Sequence, residues 1–146
     1  DLDPSRVVFP GRVPYDTYLS MLQRSDAHVY LTYPFVASWS LREALAIGCA
    51  IVGSDTQPLR EFITHNGNGL LASFFDPAGL AGAVVNQIGD AALSNRLRSS
   101  TLQYAEARLS LVDFLKAAEA LIDGMTGMQL HAAEPARPAT RTRAKR

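Results

Sequence analysis

Short apolar runs alternate with longer stretches in which apolar residues return every three or four positions, and this alternation predicts the order of elements. Val7-Val8-Phe9 reads as a short strand, cut off by Pro10-Gly11. After Pro14, residues 15–24 carry Tyr15, Tyr18, Leu19 and Leu22 at helical spacing. Ala27-His28-Val29-Tyr30-Leu31 is the next strand, ending at Tyr33-Pro34. A helix beginning near Trp39 places Leu41, Ala44, Leu45 and Gly48 on one face and Glu43 almost opposite, and a buried-type strand over 49–53 follows. Pro58 starts a short helix from Leu59 towards Thr64, stopped by the turn chemistry of His65-Asn66-Gly67-Asn68-Gly69. Leu70-Leu71-Ala72 makes a last short strand. Asp76-Pro77 then caps a helix with the stripe Leu80, Ala83, Val84 and Ile88; a second helix covers residues 91–108, and a third carries Leu111, Phe114, Leu115, Ala118, Leu121 and Ile122. Helix–strand alternation followed by helices predicts an α/β fold: a partial Rossmann-like parallel sheet of about four strands, helices on both faces, and C-terminal helices. A doubly wound domain has five or six strands, so the pattern resembles the later portion of such a domain.

The candidate chemistry gathers at the turn Ser38-Trp39-Ser40 and the helix that it opens. Unpaired amides at a helix start favour an anion, and a carboxylate in the first turns, Glu43, can accept from ligand hydroxyls. Ser40-Leu41-Arg42-Glu43 also fits a capping box, in which Glu43 reaches back to the Ser40 amide, and spacing alone leaves both roles open. Arg42 and Arg60 are candidate phosphate contacts or plain surface cations. Asp55 either lines the cleft at a strand's carboxyl end or caps the turn before Pro58. Trp39 either stacks on a base or packs the helix start. His28 reads as a core or face residue and His65 as part of a turn. No Gly-x-Ser-x-Gly elbow or phosphate-binding P-loop is present.

Composition narrows the class. With 47% hydrophobic and 19% charged residues the chain has the makeup of a globular protein, and no run nears the roughly 18 apolar residues that span a bilayer. Asp1-Leu2-Asp3-Pro4 lacks signal-peptide character. The one cysteine, Cys49, lies in the apolar run 49–52 and reads as a buried structural thiol. Together these suggest a cytoplasmic protein without a structural metal. Net charge is zero, yet residues 131–146 hold Arg137, Arg141, Arg143, Lys145 and Arg146 against Glu134 alone. Residues 125–146 therefore read as a basic, disordered tail behind a domain over 1–124. Such a tail solubilises, or touches an anionic membrane surface peripherally; no specific nucleic-acid binding is expected.

Several segments, in order, resemble the C-terminal, donor-binding domain of the group 1 retaining glycosyltransferases, which have the two-domain GT-B fold. Val8-Phe9-Pro10-Gly11-Arg12-Val13 is similar to the family's V-x-F-x-G-x-V turn. Residues from Tyr18-Leu19 through Ser25–Leu31 resemble its L-x-x-L-x-x-A-D-x-x-V-x-P-S segment, and Glu43–Val52 its E-A-M-A-x-G-x-P-V-V. Glu61-Phe62-Ile63, Asn66–Leu71 and Phe75-Asp76-Pro77 with Leu80 continue the series.

The resemblance implies a nucleotide-diphosphate sugar as donor substrate, with no cofactor and no metal. It implies that Glu43, the second glutamate of the family's E-x7-E motif, binds the ribose hydroxyls. The amides around Ser38, Trp39 and Ser40 would then face the diphosphate. It further implies retaining transfer to a saccharide or lipid-linked acceptor held by an N-terminal domain that this sequence lacks. Three departures qualify this. The first glutamate of E-x7-E is Phe35, the glycine-rich turn is Phe35–Trp39, and the Gly-Gly before Glu61 is replaced by Gln57-Pro58. The diphosphate-gripping Arg and Lys, near the start of the family's domain, are not in this sequence. The isolated chain is therefore expected to be inactive in transfer, with a second chain or a dimer able to complete the sheet. The alternatives are a non-catalytic remnant or interaction module of the same fold, or an epimerase-like module acting on sugar nucleotides.

Overall fold

The computed structural model describes residues 3–33 and 35–126. The chain divides into two compact units, Asp1–Ser110 and Leu111–Arg146. In the first, a 3-10 helix Pro4–Arg6 precedes α1 (Tyr15–Arg24), β1 (His28–Tyr30), α2 (Trp39–Ile47), β2 (Ile51–Ser54), α3 (Gln57–Arg60), β3 (Leu70–Ala72), α4 (Pro77–Gly89) and α5 (Ala91–Arg108). The described part of the second unit is the single helix α6 (Leu111–Thr126). From residue 127 onward, the sequence expected to form a basic tail lies outside the described residues.

The sheet has the order β1-β2-β3 and is parallel throughout, with His28 opposite Ile51 and Val52 opposite Leu70. Central strand β2 is buried along its whole length, as a parallel strand covered on both faces must be. Successive strand residues point to opposite faces, so Ile51 and Val52 found two separate cores. On one face Ile51 packs with Leu22 of α1, Leu41, Ala44 and Leu45 of α2, and Leu59 and Ile63 around α3. On the other, Val52 and Leu70 meet Leu80 of α4 and Leu97 of α5, with Ala83, Val84 and Leu93 alongside.

Three expectations need correction. Val7–Phe9 forms no strand: Val8 and Phe9 are 81% and 88% exposed, and β-branched or aromatic residues make a strand only where a neighbour accepts their ladder. Among the described residues the sheet therefore has three strands, not four. The helix after Pro58 starts at Gln57 and ends at Arg60, well short of Thr64, because the Asn68 carboxamide takes the Thr64 amide at 2.8 Å and donates to the Phe62 carbonyl at 2.9 Å. On α4 the buried partner of Leu80 is Gln87, while Ile88 is exposed. Nε2 of Gln87 donates to the carbonyls of Asp26 and Ala50 at 3.1 and 3.3 Å, so a donor is needed where the stripe suggested an apolar residue.

Two features fix the C-terminal end of α2 against α5. Gly48 ends α2 at φ +79°, and a Cβ there would lie 2.7 Å from Leu102 Cγ, so glycine is required on both counts. Arg98 of α5 donates from Nη2 to the Ser25 carbonyl at the end of α1 and from Nη1 to the Gly48 carbonyl at the end of α2. Cys49 is buried beneath this junction, its Sγ 3.5 Å from the Leu22 carbonyl, and burial pushes its thiol pKa up. That is the inert structural thiol expected from the sequence. Among the described residues no helix is long and apolar enough to cross a membrane.

Candidate functional site

The candidate site is built on the first two turns of α2. Ser38 is the N-cap, with extended backbone at φ −79° and ψ 168°. Ser40 therefore lies inside the helix at its second position, and the capping box with Ser40 as cap does not form. The Ser38 amide donates to the Tyr30 hydroxyl at 2.9 Å, and that hydroxyl donates on to Ser38 Oγ at 3.0 Å. Ser38 Oγ lies 2.5 Å from Ser40 Oγ. The amides of Trp39 and Ser40 follow at the helix start, where no intrahelical carbonyl lies behind them.

Glu43, one turn further on, is half-buried and held by two tyrosines of α1. The Tyr15 hydroxyl donates to Oε1 at 3.0 Å and the Tyr18 hydroxyl to Oε2 at 3.1 Å. Residues three apart on a helix share a face, so both phenols reach the same carboxylate. With Arg12, Val13 and Pro14, the two tyrosines line an open hollow of about 600 Å³. Glu43 does not itself line this hollow; the two phenols that hold it form part of the wall.

These bonds change the phenols. For Tyr15 the hydrogen bond to Glu43 is the main cause of a raised pKa. Tyr18 is pushed up to about 12, chiefly by burial and then by the bond to Glu43. A phenol whose folded pKa exceeds its unfolded value contributes stability that is complete below the unfolded midpoint, near 10, and is lost as pH climbs towards the folded one. Glu43→Gln is accordingly expected to return Tyr15 towards its ordinary midpoint and to lower Tyr18 only part of the way. Titration of tyrosine Cζ chemical shifts checks this; unchanged midpoints would mean that neither phenol engages Glu43 in solution.

The other candidates fall on either side of this centre. Trp39 is 74% exposed and does not fill the helix start; the Arg42 guanidinium lies 5.0 Å from its ring centroid and 5.2 Å from that of Phe62. Arg42 is thus flanked by aromatic faces along α2. Asp55 and Arg60 form a separate pair, Nε to Oδ1 at 2.6 Å and Nη2 to Oδ2 at 2.8 Å, and this fork holds the Asp55 carboxyl below its usual range. Both are substantially exposed, so the pair adds little stability. With Ile63, Thr64, His65 and Leu71 they line a second open hollow, of about 540 Å³. The cap of α3 is Thr56 and not Asp55. Phe35, at the place of the first glutamate of E-x7-E, is 82% exposed. His28 is a half-buried strand residue whose pKa burial lowers.

Sequence reasoning missed Tyr15, Tyr18 and Tyr30 as partners of the site. The available signal was the three-residue spacing of Tyr15 and Tyr18, which puts both phenols on one face of α1.

Comparison with known proteins bears on the same segments. The model of the family described as glycosyl transferases group 1 matches residues 4–104. No curated protein matches the chain. Among solved structures, sucrose-phosphate synthase from Thermosynechococcus elongatus is similar at a TM-score of 0.73 and 22% identity, covering 85% of this chain and 31% of that one. Anabaena HepE, solved in complex with UDP, is similar at a TM-score of 0.63 and 21% identity, covering 70% of this chain and 29% of its own. The chain thus spans about a third of the length of these structural relatives.

Proposed function

Since the chain belongs to the group 1 glycosyl transferases, we propose that it binds the nucleoside diphosphate portion of a sugar donor between α1 and the start of α2. Glu43 accepts hydrogen bonds from the vicinal ribose hydroxyls. The amides of Trp39 and Ser40, with the Ser38 and Ser40 hydroxyls, meet the diphosphate, and the hollow walled by Arg12, Val13, Pro14, Tyr15 and Tyr18 takes the base. The observation that carries this is a single carboxylate, one turn from the start of its own helix, hydrogen-bonded by two tyrosines that wall an open hollow.

The donor serves retaining transfer. The bond from the anomeric carbon to the phosphate oxygen breaks and the diphosphate leaves with the electron pair, while an acceptor hydroxyl oxygen bonds to the same face of the sugar and gives its proton to the departing phosphate oxygen. The helix start stabilises the departing charge, and no metal is called upon. The acceptor, a saccharide or a lipid-linked one, is held by a larger protein or assembly of which these residues form the donor-binding part. By themselves the 146 residues bind nucleotide without transferring sugar. Phe35 favours a second reading, a nucleotide-binding module of the same fold without transferase activity, because a phenyl ring cannot accept from sugar hydroxyls.

Calorimetric titration with UDP, the nucleotide held by HepE, and with GDP and ADP in parallel, tests the site. Glu43→Gln is expected to weaken the best of them roughly tenfold, the worth of a hydrogen bond to a charged acceptor. Equal affinity in the variant would refute the ribose assignment.

A further inference from the structure

The two hydroxyls on Glu43 are not held alike. The Tyr18 ring packs against the core cluster that contains Leu22, Leu41 and Leu45, so its hydroxyl is delivered from a fixed position. Tyr15 is 59% exposed at the lip of the hollow, its ring centroid 6.0 Å from that of Tyr18, and no core contact fixes its hydroxyl on Oε1. A carboxylate offers about four lone-pair sites, of which the tyrosines use one on each oxygen. Two hydroxyls presented side by side to the two oxygens of one carboxylate reproduce what a vicinal diol offers.

Resting on the ribose reading of Glu43, we propose that the tyrosine pair controls access to this carboxylate. Tyr18 is a positioning residue that holds Glu43 in place through Oε2, and Tyr15 is a displaceable stand-in for a ribose hydroxyl. A nucleotide that engages Glu43 takes over the place of the Tyr15 hydroxyl on Oε1 while the Tyr18 bond persists. The exchange trades one hydroxyl donor for another, so it lowers affinity for any ligand that relies on the carboxylate and leaves untouched a ligand that does not. Substitution by phenylalanine keeps both rings and removes only the donors. The two tyrosines then have opposite effects: losing the Tyr15 hydroxyl removes a competitor, and losing the Tyr18 hydroxyl removes a support.

The test compares the unaltered chain, Tyr15→Phe, Tyr18→Phe and Glu43→Gln in NMR titrations with UDP and with 2′,3′-dideoxy-UDP. ADP, GDP and their dideoxy forms are run in parallel. The unaltered chain should prefer the hydroxylated nucleotide, and Glu43→Gln should lose that preference. Tyr15→Phe should raise the ratio of hydroxylated to dideoxynucleotide affinity roughly three- to tenfold, and Tyr18→Phe should lower it roughly tenfold. A tyrosine with a merely structural role would move both nucleotides together, and that result overturns the proposal. It also falls if the preference exists and depends on Glu43, yet both phenylalanine variants match the unaltered chain; the ribose reading then stands. If the unaltered chain binds the two nucleotides equally, or binds none, the ribose reading falls and takes the proposal with it.

Discussion

Leu45→Ala is expected to destabilise the first unit by about 3–4 kcal/mol, the usual cost of deleting a fully buried leucine and leaving a cavity. Leu45 has no exposed surface and packs within the cluster of Leu22, Leu41, Ile51, Leu59 and Ile63. That cluster is what fastens α2 to the sheet and to α1. A small domain has only about 5–15 kcal/mol in total, so the variant would sit near its folding threshold. Urea denaturation should show a lower midpoint at an unchanged slope. Nucleotide binding should weaken with it, because Glu43 is aligned by the same packing. A loss below about 1 kcal/mol would mean that the inner face of α2 is not the core described above.

Ser40→Glu is expected to separate stability from binding. The substitution places a negative charge at the second position of α2, where the helix dipole favours it by about 0.5 kcal/mol. The same charge would stand against the diphosphate of a bound nucleotide. Repulsion between like charges about 5 Å apart at a protein surface is a few kcal/mol before salt screening, so UDP affinity should drop roughly tenfold or more. Loss of the contact between Ser38 Oγ and Ser40 Oγ is minor, since that pair is solvent-exposed. Thermal unfolding and titration on the same sample check both signs. A stable variant with undiminished affinity would remove the diphosphate from the start of α2.

Much of the fold was legible because its signals are local. Pro14 and the apolar spacing after it placed α1, and Asp76 and Asp90 each cap the helix that follows them, accepting from the amides of Gly79 and Leu93. Gly48 marked the end of α2. What failed depended on partners distant in sequence. Val7–Phe9 has strand-forming residues but no paired neighbour. Gln87 is buried because two carbonyls far from it in sequence, those of Asp26 and Ala50, need a donor. Serines at both 38 and 40 made either a credible cap, and the backbone chose the earlier one. In the site, Glu43 could be picked out from spacing and resemblance, but its two phenolic partners lie 28 and 25 residues away and meet it only through the packing of α1 on α2.

Everything proposed for Glu43 and its tyrosines depends on a nucleoside diphosphate being held between α1 and the start of α2. The most direct test of that placement is a map of backbone amide shifts in the labelled chain during titration with UDP, GDP and ADP. The largest shifts are expected to cluster at residues 12–18 and 38–43 and, in Glu43→Gln, to need roughly tenfold more nucleotide. Shifts centred instead on the hollow of Asp55, Arg60 and His65, or shifts around α2 that need no more nucleotide in Glu43→Gln, would contradict it.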